Sequence, residues 1–232
     1  MRRVMVTGAA GGVGSACVRV FRNAGYEVVG VDRQPSSDAD LHIQFDVGRP
    51  DCGVEIVQAL DSMEIDGLVN NAADALDKLA VDVTAEDFDN VYAVNLRAPL
   101  LLASALKQDL AARSGFVVNV ASVHAVATSK SVAGYAATKG GLLAMTRALA
   151  LEWAPDVRVN AVLPGAVNTR MLQEGLARSG MTMDEFAERQ PLGRVGDAIE
   201  IAEAIHFLAV NTFTTGSALI VDGGATARLS TE

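Results

Sequence analysis

Arg3-Val-Met-Val-Thr-Gly-Ala-Ala-Gly-Gly-Val-Gly14 decides how the rest of the chain is read. The apolar run Val4–Val6 stops at Thr7-Gly8, and a helical pattern begins at Val13. A strand therefore enters a glycine-rich turn and leaves it as a helix. Glycine permits the tight turn and lets a phosphate approach the backbone with no Cβ in the way. The helix start adds unpaired N–H groups and the positive end of a dipole, together an anion site. The common fingerprint G-x-G-x-x-G is not met, because counting from Gly12 the third place is Cys17; the pattern present is T-G-x-x-x-G-x-G. By itself such a turn can be nothing more than a turn. The second apolar run adds weight, since it ends at Asp32, 18 residues past Gly14. A dinucleotide-binding fold places there the acid that hydrogen-bonds the adenosine ribose diol. A carboxylate at that place repels a 2′-phosphate. Arg33 follows at once and can pair with a phosphate only beside that competing anion, so NAD is favoured over NADP.

Outward from this turn, short β-branched runs alternate with helical patterns. Strands are predicted at Arg3–Val6, Glu27–Val31, His42–Phe45, Gly67–Val69, Gly115–Val120, Arg158–Val162 and Ala218–Val221. Helices are predicted near Val13–Ala24, Val54–Leu60, Ala85–Ala112, Tyr135–Trp153 and Ala198–Val210. Runs such as VVGV and FVVNV are apolar on successive residues, which suits a parallel sheet covered on both faces. Repeated βαβ units imply right-handed crossovers. No linker or repeat divides the chain, so residues 1–232 are expected to form one doubly wound α/β domain of Rossmann type, with a seven-stranded parallel sheet flanked by helices. The stretch at about 168–195 breaks the rhythm and is expected to fold locally or act as a substrate lid.

Composition narrows the function. With 28 acids against 19 bases the formal charge is −9, which argues against nucleic acid or an anionic membrane as partner. The apolar stretch from Val4 is too short for a signal peptide, and no run of 18 apolar residues exists to span a membrane. Cys17 and Cys52 are too few for a disulfide framework or a four-ligand zinc site, so a cytoplasmic chain without a metal is expected.

The chemistry lies further on. Ser122 follows the fifth strand, and 13 residues later Tyr135-Ala-Ala-Thr-Lys139 opens the longest helix. Tyr and Lys at i and i+4 share a helix face, about 6 Å apart at Cβ. A phenol with a pKa near 10 is a poor base at neutral pH, and a nearby ammonium favours the phenolate. The spacing alone also fits an ordinary amphipathic helix. What sets it apart is the company of Ser122, the glycine turn and Asp32.

In order, TGAAGGVG at 7–14, Asp32, Asp46-Val47, NNAA at 70–73, Asn95, Ser122, YAATK at 135–139, PGAVNT at 164–169 and VDGG at 221–224 resemble the short-chain dehydrogenase/reductase family over essentially the whole chain. The resemblance implies that Tyr135 is the general acid/base and that Lys139 lowers its pKa and holds the nicotinamide ribose. It implies that Ser122 polarises the substrate oxygen and that Asn95 fixes a water of a proton relay. Gly8, Gly12, Val13 and Gly14 would cradle the pyrophosphate, with Asp32 and Arg33 at the adenosine ribose. Asp46 and Val47 would meet the adenine, and Asn71, Ala72 and Ala73 would flank the ribose. Pro164, Gly165, Val167 and Thr169 would orient the carboxamide. One departure is Ala73, where the family usually has glycine; another is a lean segment between Asp46 and Asp66.

The implied reaction is hydride transfer between a nicotinamide cofactor, NAD, and a secondary alcohol or ketone, in the oxidising direction. Ser122, His124, Tyr135 and Met171 are expected to touch substrate, with Ala73, Asp74, Val167, Leu172, Met181 and Met183 nearby. The methionines suggest a substrate with an apolar portion. Arg170, Arg178 and Arg189 are candidates to clamp a carboxylate. Alternatives are a catalytically silent NAD(H) sensor on the same fold, and an epimerase or dehydratase of the extended relatives. The family also implies a homotetramer built through the helices at Ala85–Ala112 and Tyr135–Trp153 and the last strand. Leu142, Leu143, Met145, Leu149 and Trp153 give that second helix more apolar residues than one face needs.

Overall fold

The structure is a computed structural model and describes residues 2–35 and 38–228. Its strands are β1 (Arg2–Thr7), β2 (Tyr26–Asp32), β3 (Leu41–Gln44), β4 (Gly67–Asn70), β5 (Phe116–Val120), β6 (Arg158–Pro164) and β7 (Ala218–Val221). They form one sheet in the order β3-β2-β1-β4-β5-β6-β7, with every neighbouring pair parallel. The order reverses between β1 and β4, and in open α/β sheets ligands bind in the crevice outside the carboxyl ends of the strands at such a point.

The helices are α1 (Gly12–Asn23), α2 (Cys52–Ala59), α3 (Ala85–Tyr92), α4 (Ala98–Ala105), α5 (Lys107–Ala112), α6 (Ala133–Trp153), α7 (Arg170–Ser179), α8 (Met183–Ala187) and α9 (Ala198–Val210). The continuous apolar strand runs are explained by helices on both faces. Val4, Val6 and Val28 pack with Cys17 and Phe21 of α1 and Ile201 and Ile205 of α9. Met5, Val29 and Val31 face the other way, onto Ile56 of α2, Leu102 of α4, Leu110 of α5 and Trp153 of α6. Phe21 anchors the first layer, edge-on to Tyr26 with ring centroids 5.2 Å apart and stacked on Phe116 at 6.1 Å. Truncating such a buried ring costs about 3–5 kcal/mol.

Two expectations need correction. The single helix predicted over Ala85–Ala112 is three helices. A π-helical segment, Ala93–Arg97, joins α3 to α4, and the Ala98 N–H donates to the Ala93 carbonyl five residues back. Pro99 sits in the first turn of α4, where its missing N–H is tolerated. Leu106 then separates α4 from α5. The second correction concerns the apolar residues of α6. Leu142, Leu143, Leu149 and Trp153 are buried within the chain's own core, so they are not spare surface. The outward apolar residue of α6 is Leu151, at 83% exposure, and beyond that helix Phe213 is fully exposed.

The stretch at 168–195 folds locally. α7 ends on Gly180 with φ +69, the left-handed conformation usual for a helix-terminating glycine. α8 begins on a capping box between Thr182 and Glu185.

Candidate active site

The glycine turn is held by its neighbours. Gly8 has φ +66 and donates its N–H to the Val31 carbonyl at 2.8 Å. An added Cβ there would lie 2.9 Å from the Ala72 Cα. At Gly14 a Cβ would lie 1.9 Å from the Gly8 carbonyl oxygen, so α1 can leave the turn this closely only with glycine at that place. Thr7, which the sequence reading did not single out, is the hub. Its hydroxyl accepts from the backbone N–H of Asn71 and of Ala72, both at 3.0 Å, while Asn71 Nδ2 donates to the Thr7 carbonyl at 2.9 Å. Asn71 and Ala72 thus tie the end of β4 to the end of β1.

The same turn fits a dinucleotide phosphate. α1 starts on Gly11 with no side-chain cap and no acid in its first turn, whereas α3, α8 and α9 each carry a capping box. The first N–H groups of α1 are therefore left for an external acceptor. Gly11 and Gly12 are exposed, and a Cβ at Gly12 would lie 3.0 Å from Thr169 Cγ2, filling the gap between the turn and the loop after β6.

Asp32 ends β2 with both carboxylate oxygens engaged. Ala10 N–H donates to Oδ2 at 3.0 Å and Gln34 N–H to Oδ1 at 2.8 Å. Arg33 is exposed and pairs with Asp74 at 3.6 Å. Asp46 is exposed and accepts from the Gly48 N–H at 2.9 Å, while Val47 packs its side chain into the core. After β6, Pro164 is buried, and Gly165 donates its N–H to the Val221 carbonyl at 2.9 Å. Val167 bridges to Gly196, and Thr169 starts α7, followed by the exposed Met171. Ala73 and Val13 are half-buried.

Ser122, Tyr135, Lys139 and Asn95 come together at the carboxyl end of β5. Ser122 is buried, accepts from the His124 N–H at 3.2 Å, and is hydrogen-bonded through its side chain to Tyr135. Lys139 is fully enclosed and donates from Nζ to the Val120 carbonyl at 2.8 Å, with the same Nζ 5.7 Å from the centre of the Tyr135 ring. The His124 ring stands edge-on to Tyr135 at 5.8 Å, and its Nδ1 lies 3.0 Å from the Thr128 hydroxyl.

Asn95 is fully buried in the π-helical segment. Its Nδ2 donates to the Asp74 carbonyl at 2.9 Å and to the Thr138 hydroxyl at 3.2 Å, and its Oδ1 accepts from the Asp74 N–H at 2.9 Å. Thr138, also unanticipated, donates a hydrogen bond from its own hydroxyl to the Tyr135 carbonyl at 2.8 Å. An α-helix would aim the N–H of residue 99 at the Asn95 carbonyl, and Pro99 has none. The sequence carried that cue in the spacing of Asn95 and Pro99.

The electrostatics depart from expectation. Burial pushes Tyr135 above its ordinary range, only partly offset by the hydrogen bond from Ser122. Burial also lowers the Lys139 ammonium from 10.5 to about 7. The chain by itself therefore keeps the phenol protonated and leaves the amine only partly charged near pH 7, so desolvation outweighs the ion-pairing predicted from their spacing. His124 is lowered too, again by burial. Arg170 pairs with Glu174 at 2.6 Å and Arg178 with Asp77 at 3.4 Å, so two of the three arginines considered as clamps are already engaged.

Residues 8–226 match the family model described as "Enoyl-(Acyl carrier protein) reductase". A short-chain type dehydrogenase/reductase of Sinorhizobium fredii is 38% identical over 96% of this chain, which spans 43% of that protein. L-xylulose reductase of Mesocricetus auratus is 36% identical over 96% of both chains. Among solved structures, aldohexose dehydrogenase of Thermoplasma acidophilum superposes with TM-score 0.93 at 28% identity, covering 99% of this chain and 95% of that one. A 4-hydroxyisoleucine dehydrogenase complexed with NADH gives TM-score 0.90 at 26% identity, covering 99% of this chain and all of that one. ElxO with NADP bound gives 0.88 at 26%, covering 98% and 99%. The glycine turn, the Ser122-Tyr135-Lys139 cluster and these likenesses agree, and the chain belongs to the short-chain dehydrogenase/reductase family of oxidoreductases.

Proposed function

We propose that the protein is an NAD-dependent dehydrogenase that oxidises a secondary alcohol to a ketone, with Tyr135 as the general base for the hydroxyl proton. The observation carrying this reading is the gathering of Ser122, Tyr135 and the buried Lys139 at the carboxyl end of β5, with the Lys139 Nζ 5.7 Å from the centre of the Tyr135 ring. When bound, the oxidised nicotinamide would accept the hydride and bring a positive charge to the site. Gly8, Gly12, Val13 and Gly14 would hold its pyrophosphate, Asp32 and Arg33 the adenosine ribose end, Asp46 and Val47 the adenine. Asn71, Ala72 and Ala73 would line the ribose, with Pro164, Gly165, Val167 and Thr169 at the carboxamide.

The chain's own residues divide the remaining work. Ser122 orients the substrate oxygen toward Tyr135, which takes the proton as a phenolate after its own proton has left toward solvent. A charged Lys139 amine and the positive nicotinamide would both favour that phenolate. Lys139 tunes Tyr135, and its need to be charged for that task makes its lowered pKa a control on the reaction. Asn95 holds the Asp74 loop and offers a backbone carbonyl to the proton path. His124 and Met171 contact the substrate, and residues 168–195 act as its lid, fastened to the Asp77 loop by Arg178. We assign the chain as one catalytic domain, cytoplasmic and homotetrameric, with assembly using outward apolar residues such as Leu151 and Phe213.

The test is a panel of secondary alcohols with NAD, read by NADH absorbance. Turnover on one class of alcohol supports the proposal. NAD binding with no turnover on any of them would leave a cofactor-holding sensor instead.

A further inference from the structure

We infer that Asp74 is a cofactor-specificity residue: it holds the Arg33 guanidinium in an ion pair and so withholds it from the 2′-phosphate of NADP. The inference rests on the nicotinamide-dinucleotide reading given above.

The pair joins two loops that the sheet order brings together. β2 and β4 lie on either side of β1, so the residues just after each of them flank the glycine turn that closes β1. Arg33 follows β2 and Asp74 lies a few residues beyond β4, and their side chains meet at 3.6 Å. Both backbones are fixed independently of that contact. The Arg33 carbonyl accepts from Gln44 Nε2 at 3.1 Å, which ties it to β3. Asp74 is held by its N–H and its carbonyl, each bonded to the buried Asn95 side chain at 2.9 Å. Only the side chains are free to choose partners.

Arg33 is the residue best placed to undo the selectivity of its neighbour. Asp32 repels a 2′-phosphate, and a guanidinium one residue on offers the bidentate donor that would offset that repulsion. Asp74 occupies that donor. Asp32 is itself locked by two backbone N–H bonds, so it cannot swing away to admit the phosphate. Rejection of NADP then has two parts, a fixed anion and a sequestered cation.

Direct binding tests this without turnover, by titrating NADH and NADPH into the protein and reading nicotinamide fluorescence. Asp74→Asn keeps the backbone bonds to Asn95 and removes the charge. The exposed pair is of the kind worth at most about 1 kcal/mol, so NADPH affinity is expected to rise about three- to fivefold. Raising the salt should shrink that gain. Arg33→Ala should remove the dependence of NADPH affinity on residue 74, with NADH titrated beside it so that any loss at the adenosine ribose is read separately. The double variant should lose the gain, and Asp74→Glu should restore rejection. An Asp74→Asn protein that binds NADH yet shows no gain for NADPH overturns the inference alone, as does a gain that survives removal of Arg33. A wild-type chain that binds neither nucleotide overturns the dinucleotide reading and this inference together.

Discussion

Replacing Lys139 by Met should change how the stability of the ligand-free chain depends on pH. The side chain is fully enclosed, and burial lowers its pKa from 10.5 to about 7. Between those two values the unfolded chain binds a proton at this amine that the folded chain does not. Stability therefore rises with pH across that window, by up to about 1.4 kcal/mol per pH unit. Below about pH 7 both states are protonated and the dependence on this group vanishes. From pH 7 to pH 9 the integrated gain is about 2 kcal/mol for the wild type. Lys139→Met has no such group and should lack that gain. The comparison between the two proteins also cancels Cys17, whose thiol burial raises to about 12 and which acts in the opposite direction above pH 9. At any single pH the variant mixes two effects, removal of a buried amine and loss of the donor to the Val120 carbonyl. The pH slope isolates the first. Urea unfolding of both proteins at half-unit steps from pH 6.5 to 9 gives the two curves. Parallel curves would refute the claim that burial sets the state of this amine.

Other perturbations follow from the same contacts. Asp32→Ala should narrow the preference for NADH over NADPH in direct titration, since the fixed carboxylate is removed. Gly14→Ala forces a Cβ to within 1.9 Å of the Gly8 carbonyl oxygen and should lower stability by about 1–3 kcal/mol, with a weaker nucleotide affinity, read by thermal melts with and without NADH. Asn95→Ala removes three hydrogen bonds and leaves the Asp74 N–H and carbonyl without those partners; a loss of about 2–4 kcal/mol in a denaturant melt is expected.

Most of the fold was legible because each strand is a short apolar run wedged between two helical layers. The reading found every strand, placing β1 and β2 within a residue or two of Arg2–Thr7 and Tyr26–Asp32. The break within Ala85–Ala112 was not legible from periodicity, since a π-helical turn barely disturbs the apolar stripe. Only Pro99 signals it. The helices α7 and α8 were only faintly legible, being short and mostly exposed, although Gly180 and the Thr182/Glu185 box mark their ends. At the site, the four-residue spacing of Tyr135 and Lys139 was plain, but the sign of the pKa effect was not. That sign depends on how deeply the amine is enclosed, which spacing does not report. The Arg33–Asp74 pair arises from sheet order, which sets side by side two loops 41 residues apart in the chain.

The central claim is that the Tyr135 hydroxyl exchanges the substrate proton. Tyr135→Phe deletes that oxygen and little else, so it is the most direct trial, run with NAD and the best alcohol from the panel. The expected result is a fall in kcat of about 10²–10⁴ with NAD affinity within a factor of two of the wild type. A variant that keeps its turnover, or that loses NAD binding while retaining residual catalysis, would place the proton transfer on another group.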